Sequence, residues 1–303
     1  MSVLIVGSVA LDHVKTPAEE KENLLGGSAS YASVAASFFY PVNFVGIVGT
    51  DFPVEHRQFL ASRLINLEGL QVVEGKTFRW SGEYLDNMNY RETLSVELNV
   101  FQNFTPTLPP SYRSSPYVLL GNIAPTLQRH VLDQIDSPRF VIADTMNLWI
   151  ETSRKELLEL LKCVNMLILN ESEARLLTGS ANLITAGRLI RALGPQFVII
   201  NKGEHGSLLF GENAFFSCPA YPLEEIRDPT GAGDSFAGGL IGYLASIIAE
   251  KSDAITFDQL RSAVVYGTLL ASFNVESFSI ERLRVLTHTD IEKRYHLFRL
   301  ISS

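Results

Sequence analysis

Gly231-Ala232-Gly233 opens a helical run from Asp234 to Ile248 that carries further small residues at Ala237, Gly238 and Gly239. The first amides of a helix have no carbonyl partner and sit at the positive end of its dipole. A glycine-flanked helix start is therefore a place for an anion such as phosphate. Asp234 stands at this same helix start. It could do no more than complement the dipole. Beside a phosphate cradle, a carboxylate can also accept the proton of an attacking hydroxyl. A donor nest and a base are what phosphoryl transfer to an alcohol requires.

Competing chemistries are thin. No G-x-x-x-x-G-K-[ST] stretch occurs, and no G-x-G-x-x-G follows the first apolar run. A serine nucleophile elbow and an H-E-x-x-H motif are also missing, and the six histidines are scattered without ligand spacing. Gly26-Gly27 precedes Ala29, Ser30, Ala32, Ala35 and Ala36, a run that permits close backbone approach to a ligand or merely forms a turn. Asn170-Glu171-Ser172-Glu173 reads, on its own, as a helix cap with a first-turn acid.

These residues need a scaffold, and the apolar pattern supplies one. Val3 to Val6, Asn43 to Val48, Tyr117 to Leu120, Phe140 to Ala143, Met166 to Leu169 and Phe197 to Ile200 read as strands buried on both faces. Thr126 to Ile135, Ser153 to Cys163 and Asn182 to Leu193 have helical spacing. Strands alternating with helices predict an α/β fold with a mostly parallel sheet covered on both sides. With 303 residues, 46% of them apolar and 19% charged, the chain can bury a large core. A net charge of −8 argues against nucleic acid as the main partner. Cys163 and Cys218 fit a reduced compartment, and Val3-Leu4-Ile5-Val6 is too short for a signal peptide. No apolar run approaches the roughly 18 residues of a membrane span. A cytoplasmic protein with no membrane or nucleic-acid partner is expected.

One stretch breaks the alternation. Residues 77–101 hold two β-rich runs around Asp86-Asn87-Met88-Asn89, the pattern of an antiparallel hairpin. Trp80, Tyr84, Tyr90 and Arg91 suit a lid over a ligand, while the plainer alternative is an edge ribbon. Pro106, Pro109 and Pro110 mark the return to the main sheet.

At this point the sequence resembles the ribokinase-like, or PfkB, family of carbohydrate and nucleoside kinases. Asp228-Pro229-Thr230-Gly231-Ala232-Gly233-Asp234 matches the family's D-T-x-G-A-G-D signature, with Pro229 in the often-Thr second position. Gly26-Gly27-Ser28-Ala29-Ser30-Tyr31-Ala32 matches the N-terminal signature, and Asp12 falls at the family's substrate-binding acid. Asn170 to Glu173 matches its N-x-x-E motif, and Asn201-Lys202-Gly203-Glu204-His205-Gly206 its T-x-G-x-x-G. The matches run in order along nearly the whole chain.

The resemblance implies a single ribokinase-like α/β/α sandwich over residues 1–303, with a small β lid over about 77–101 that extends to about 12–25. It implies an ATP- and Mg²⁺-dependent kinase with Asp234 as general base and the amides of Gly231, Ala232 and Gly233 as anion hole. Asp12, Gly26 and Gly27 would hold acceptor hydroxyls, and Glu173 with Asn170 would organise Mg²⁺ and its waters. Lys202, Gly203 and Gly206 would approach the nucleotide phosphates, and Ala271 and Asn274 would enclose adenine. Asp228 matches a monovalent-cation position, which leaves K⁺ dependence open.

The acceptor side departs from the pattern. Tyr31 stands where many members carry an Asn, adding a stacking face and removing an amide. That fits altered sugar recognition or a ring-bearing acceptor such as a nucleoside. Asp144-Thr145-Met146-Asn147 resembles the D-x-N region with one residue inserted, which makes Asp144 and Asn147 pocket residues or a plain strand end and turn. Trp80, Asn89 and Arg91 would close on the acceptor, with Arg91 able to meet a phosphate already on a sugar. The expectation is an ATP:sugar phosphotransferase, with a nucleoside kinase as alternative and lid-mediated homodimerisation open. A non-catalytic binding protein would be free to lose Asp234 and the Gly231-Ala232-Gly233 loop.

Overall fold

The computed structural model describes residues 1–85, 88, 91–248 and 254–302. Asp86, Asn87, Asn89 and Tyr90 of the expected lid lie outside the described residues. The first strand, β1 (Val3–Val6), sends Val3 and Ile5 into one core and Leu4 and Val6 into another. A strand covered on both faces needs apolar residues at every position, which is why these runs are continuous rather than alternating.

Three elements follow around the N-terminal signature: β2 (Ala10–Lys15), β3 (Glu20–Gly26) and α1 (Ser28–Ala36). Next come β4 (Val42–Gly49), α2 (Val54–Ala61), β5 (Ile65–Val73), and the hairpin strands β6 (Phe78–Tyr84) and β7 (Arg91–Glu97). The alternation then resumes with β8 (Tyr117–Leu120), α3 (Pro125–Leu132), β9 (Phe140–Asp144), α4 (Asn147–Thr152) and α5 (Arg154–Leu161). It continues with β10 (Met166–Asn170), α6 (Glu171–Thr178), α7 (Leu183–Arg191) and β11 (Phe197–Asn201). An antiparallel pair, β12 (Ser207–Phe210) and β13 (Phe215–Cys218), leads to α8 (Ala232–Ile247), α9 (Phe257–Asn274), α10 (Glu281–Val285) and α11 (His288–Ser302).

The nine-stranded sheet runs β13-β12-β11-β10-β9-β8-β1-β4-β5, parallel from β11 to β5. Residues of α1, α8, α9 and α11 fill the core on one face; those of α3, α5, α6 and α7 fill the other. The result is three layers, α/β/α. Helix α8 lies directly on α1 because Gly238 permits it: a Cβ there would stand 2.0 Å from the Ala32 carbonyl oxygen.

The small sheet has four strands, β3-β2-β6-β7, so the two hairpins are joined by parallel pairing of β2 with β6. Val14, Tyr84 and Phe278 are buried beneath it, with Leu24, Trp80 and Met88 packed against them. Among the described residues no helix is long and apolar enough to cross a membrane.

Candidate active site

Open parallel sheets leave a crevice beyond the carboxyl ends of their strands. Asp144 ends β9, Asn170 ends β10 and Asn201 ends β11, with Asn170 and Asn201 side by side in register. Gln128, fully buried, donates through Nε2 to the carbonyls of Leu120, Gly121 and Asp144, which ties the ends of β8 and β9 together.

The helix start at 231–234 forms as its sequence suggests. Gly231 is left-handed (φ 75°), and a Cβ on it would lie 2.3 Å from the Tyr31 ring, so both conformation and space require glycine. The Ala232 amide donates to the Pro229 carbonyl at 3.2 Å and the Ser235 amide to the Gly231 carbonyl at 2.8 Å. The amides of Gly233 and Asp234 lie between these bonds, in the turn where a helix offers no carbonyl. A Cβ on Gly233 would meet nothing within 4 Å, so this glycine faces open space.

Behind the loop stands a brace that reading the sequence did not reveal. Asp228, fully buried, accepts the amides of Thr230 (2.9 Å) and Ser279 (3.0 Å). The Ser279 hydroxyl donates to the Leu25 carbonyl at 2.6 Å. The Thr230 carbonyl accepts from Asn274 Nδ2 (2.7 Å), whose Oδ1 accepts from Ser235 (3.1 Å), and the Thr230 hydroxyl meets Tyr84 OH at 3.1 Å. Asn274 is thus buried behind the loop, not at an adenine wall as expected: its amide fits a carbonyl and a hydroxyl that would otherwise be buried unpaired. Tyr84 joins the small sheet to the same loop.

Four carboxyls share the crevice. Burial lifts Asp234 to about 7, with Arg91 opposing. Glu173 is likewise raised by burial to about 7, against a bond from the Asn170 amide and the charge of Arg91. Asp144 is pushed well up by burial and then by Asp234 and Glu173. Asp12 is also pushed well up, by burial first and then by Asp228 and Asp234. Negative groups this close, with little water, hold protons until a cation or ligand intervenes.

Asp12 lies on β2, paired with Leu24 on one side and Trp80 on the other. Gly26 must lack a side chain because a Cβ would stand 1.9 Å from an Asp12 carboxyl oxygen, and Gly27 (φ 90°) abuts the Ser8 carbonyl. The Arg91 guanidinium lies over the Trp80 ring at 4.8 Å. Tyr31 differs from expectation. Only 1% exposed, its ring is the floor under Gly231 and offers no free stacking face. Asn147 is exposed in the first turn of α4. The same segment instead engages Asn122, which donates to Met146 Sδ (3.1 Å) and accepts from Trp149 Nε1 (2.8 Å).

Asn170 and Glu173 form a full capping box: the Asn170 amide donates to Glu173 Oε2 (2.8 Å) and the Glu173 amide to Asn170 Oδ1 (2.9 Å). The plain reading of N-x-x-E is therefore realised, with the acid also inside the crevice. A cavity of about 510 Å³ adjoins the loop. Gly203, Gly206, Ala271, Gly233 and, from the hairpin tip, Met88 line it. Lys202 is not part of that lining; its amide closes the turn by donating to the Gly206 carbonyl at 2.7 Å.

The profile of the pfkB family carbohydrate kinases matches residues 3–282. The chain is 32% identical over 272 residues to a cytidine kinase of Thermococcus kodakarensis, covering 87% of this chain and 96% of that one. It superposes on a Burkholderia thailandensis nucleoside kinase in complex with inosine with a TM-score of 0.79, at 18% identity and 98% coverage of each chain. A Thermotoga maritima ribokinase gives 0.76 at 20% identity, covering 98% of this chain and 99% of that one. The chain belongs to the pfkB family and has the ribokinase fold. It is a phosphotransferase with an alcohol group as acceptor, in the sugar and nucleoside kinase class.

Proposed function

We propose that this chain transfers the γ-phosphoryl of ATP to a primary hydroxyl of a ribose-bearing acceptor. The observation that carries this is Asp234, raised to about 7 at a helix start whose Gly233 faces open space. The acceptor oxygen forms the new P–O bond as the bond to ADP breaks, and its proton passes to Asp234. The Gly231-Ala232-Gly233 turn supplies the anion hole, chiefly through the amide of Gly233, since that of Ala232 is bonded to Pro229 and that of Asp234 to its own carboxyl. Asp12 holds acceptor hydroxyls against Gly26 and Gly27, and Asp144 stands near Asp234 and Glu173. The 510 Å³ cavity takes the nucleotide, with Gly203 and Gly206 at the phosphates and Ala271 at the base.

Crevice carboxyls whose proton affinity is raised by burial, and for Asp12 and Asp144 also by neighbouring carboxyls, fit a divalent cation that would neutralise them. Among the described residues no cluster of three metal-ligating side chains occurs, which suits an ion held through water and phosphate. Glu173 would orient that shell, and Mg²⁺ when bound neutralises the charge of the transferring phosphates. Both Asp228 oxygens already brace the loop, so a K⁺ ion there would share them with two amides. The small sheet is the lid, latched by Tyr84. Its free edge β7 is exposed along its whole length, with Leu94 and Val96 outward, which suits a second copy of the lid. Free cysteines at 163 and 218 suit the cytoplasm.

Near-full-length similarity to a cytidine kinase favours a nucleoside acceptor. The burial of Tyr31, which removes the expected stacking platform, favours the free sugar. A coupled ADP-release screen over cytidine, adenosine, inosine, ribose and fructose, with Mg²⁺ and with Na⁺ or K⁺, decides between them. Turnover of cytidine above ribose is expected. No release with any acceptor, or full activity in Asp234→Asn, would sink the proposal.

A further inference from the structure

Helix α11 begins at His288, beyond residue 282 where the family match ends. It nevertheless packs against two side chains that line the proposed nucleotide cavity. Arg294 is largely buried, with its side chain 13% exposed. Its guanidinium lies over Phe273 at 3.5 Å and over Tyr221 at 4.7 Å, donates to Ser272 Oγ at 3.0 Å, and pairs with Glu276. Tyr221 and Ser272 both line the cavity. Phe298, four residues on and on the same helix face, also stacks on Tyr221, with centroids 6.4 Å apart. Two cavity-wall side chains from separate segments are therefore fixed by one guanidinium from a helix outside the family match.

We propose that Arg294 is a positioning residue for the nucleotide, setting donor affinity through Tyr221 and Ser272 without touching the reacting atoms. This rests on the assignment of the 510 Å³ cavity to the nucleotide. A planar guanidinium can stack on two rings and bond sideways at once, which an ammonium cannot. Arg294→Lys therefore keeps the charge for Glu276 and loses the flat face.

Calorimetric titration of ADP into the full chain and into Arg294→Met, Arg294→Lys and Glu276→Gln tests this, with the urea midpoint of each protein as a control. Arg294→Met is expected to weaken ADP roughly tenfold, about 1.4 kcal/mol, with Lys recovering part of the loss and cytidine affinity unchanged. ADP affinity within twofold of wild type, or equal losses for ADP and cytidine, would overturn the proposal. If Arg294→Met does not fold, the other two variants decide by the same criterion. Ala271→Trp, which fills the cavity, tests the nucleotide assignment separately. ADP binding that survives it overturns that assignment; loss of binding there with Arg294→Met unaffected overturns the role of Arg294 alone.

Discussion

Because burial lifts the Asp234 carboxyl from 3.8 to about 7, the folded chain keeps a proton there that the unfolded chain releases. The stability it contributes is full below 3.8 and is lost as pH rises through about 7. Asp234→Asn should then raise the unfolding free energy at pH 8 by on the order of 4 kcal/mol and at pH 5 by less than half as much, read by urea melts at both. The same substitution should lower kcat by about 10²–10⁴-fold. In the wild type, kcat/KM should climb to a plateau above pH 7, since the base acts only when deprotonated; a profile flat from pH 5 to 8 would contradict this. The loop glycines separate folding from catalysis. Gly231→Ala forces φ 75° and a collision with Tyr31, so the protein should be strongly destabilised. Gly233→Ala meets no atom of the fold, so its melting temperature should hold while a methyl group in the cradle abolishes most activity. Equal loss of stability in the two variants would refute the difference.

At the scale of elements, the Tyr84–Thr230 bond is the side-chain link from β6 of the small sheet to the phosphate loop, alongside the path from Leu25 of β3 through Ser279 to Asp228. Tyr84→Phe should cost about 0.5–1.5 kcal/mol, read as faster amide exchange in β6 and β7 and a higher KM for the acceptor, with the rest of the fold unmoved. Strands β1, β4, β8, β9, β10 and β11 were legible because burial on both faces writes an unbroken apolar run. Strands β5 and β13 were not, since their mixed burial leaves neither a continuous run nor clean alternation, and β12, buried throughout, was missed because its apolar run is only Leu208-Leu209-Phe210. The capping box at Asn170 and Glu173 was legible as a cap, while the burial of Glu173 in the crevice depends on distant segments that no local pattern encodes. Asn274 and Tyr31 were misplaced for one physical reason. Their partners lie at Thr230 and Gly231, and residue type alone does not say which distant backbone will arrive to meet a side chain.

At the scale of the molecule, the crevice gathers Asp12, Asp144, Glu173 and Asp234, with the charge of Arg91 acting on Asp12, Glu173 and Asp234. Chelation with EDTA should abolish phosphoryl transfer and added Mg²⁺ should restore it, checked by ADP release; activity that persists in EDTA would remove Glu173 from the role given it. If copies of the chain meet along β7, Val96→Lys should turn a sedimenting dimer into a monomer. A wild type that sediments as monomer at micromolar concentration would exclude that contact.

The bond from Ser279 to Leu25 joins residues 254 positions apart, and Asp228 hangs from the same Ser279 amide. On a ribosome, the segments carrying Asp12, Gly26 and Gly27 emerge long before the residues that hold the 228–234 loop in place. Closing so long a span is entropically slow and comes late. The nascent chain can therefore bury most of its main sheet while the phosphate loop still lacks its Ser279 anchor. ADP or ATP added during refolding should bind only in the last kinetic phase, and would act as a brake on unfolding rather than as a guide to folding.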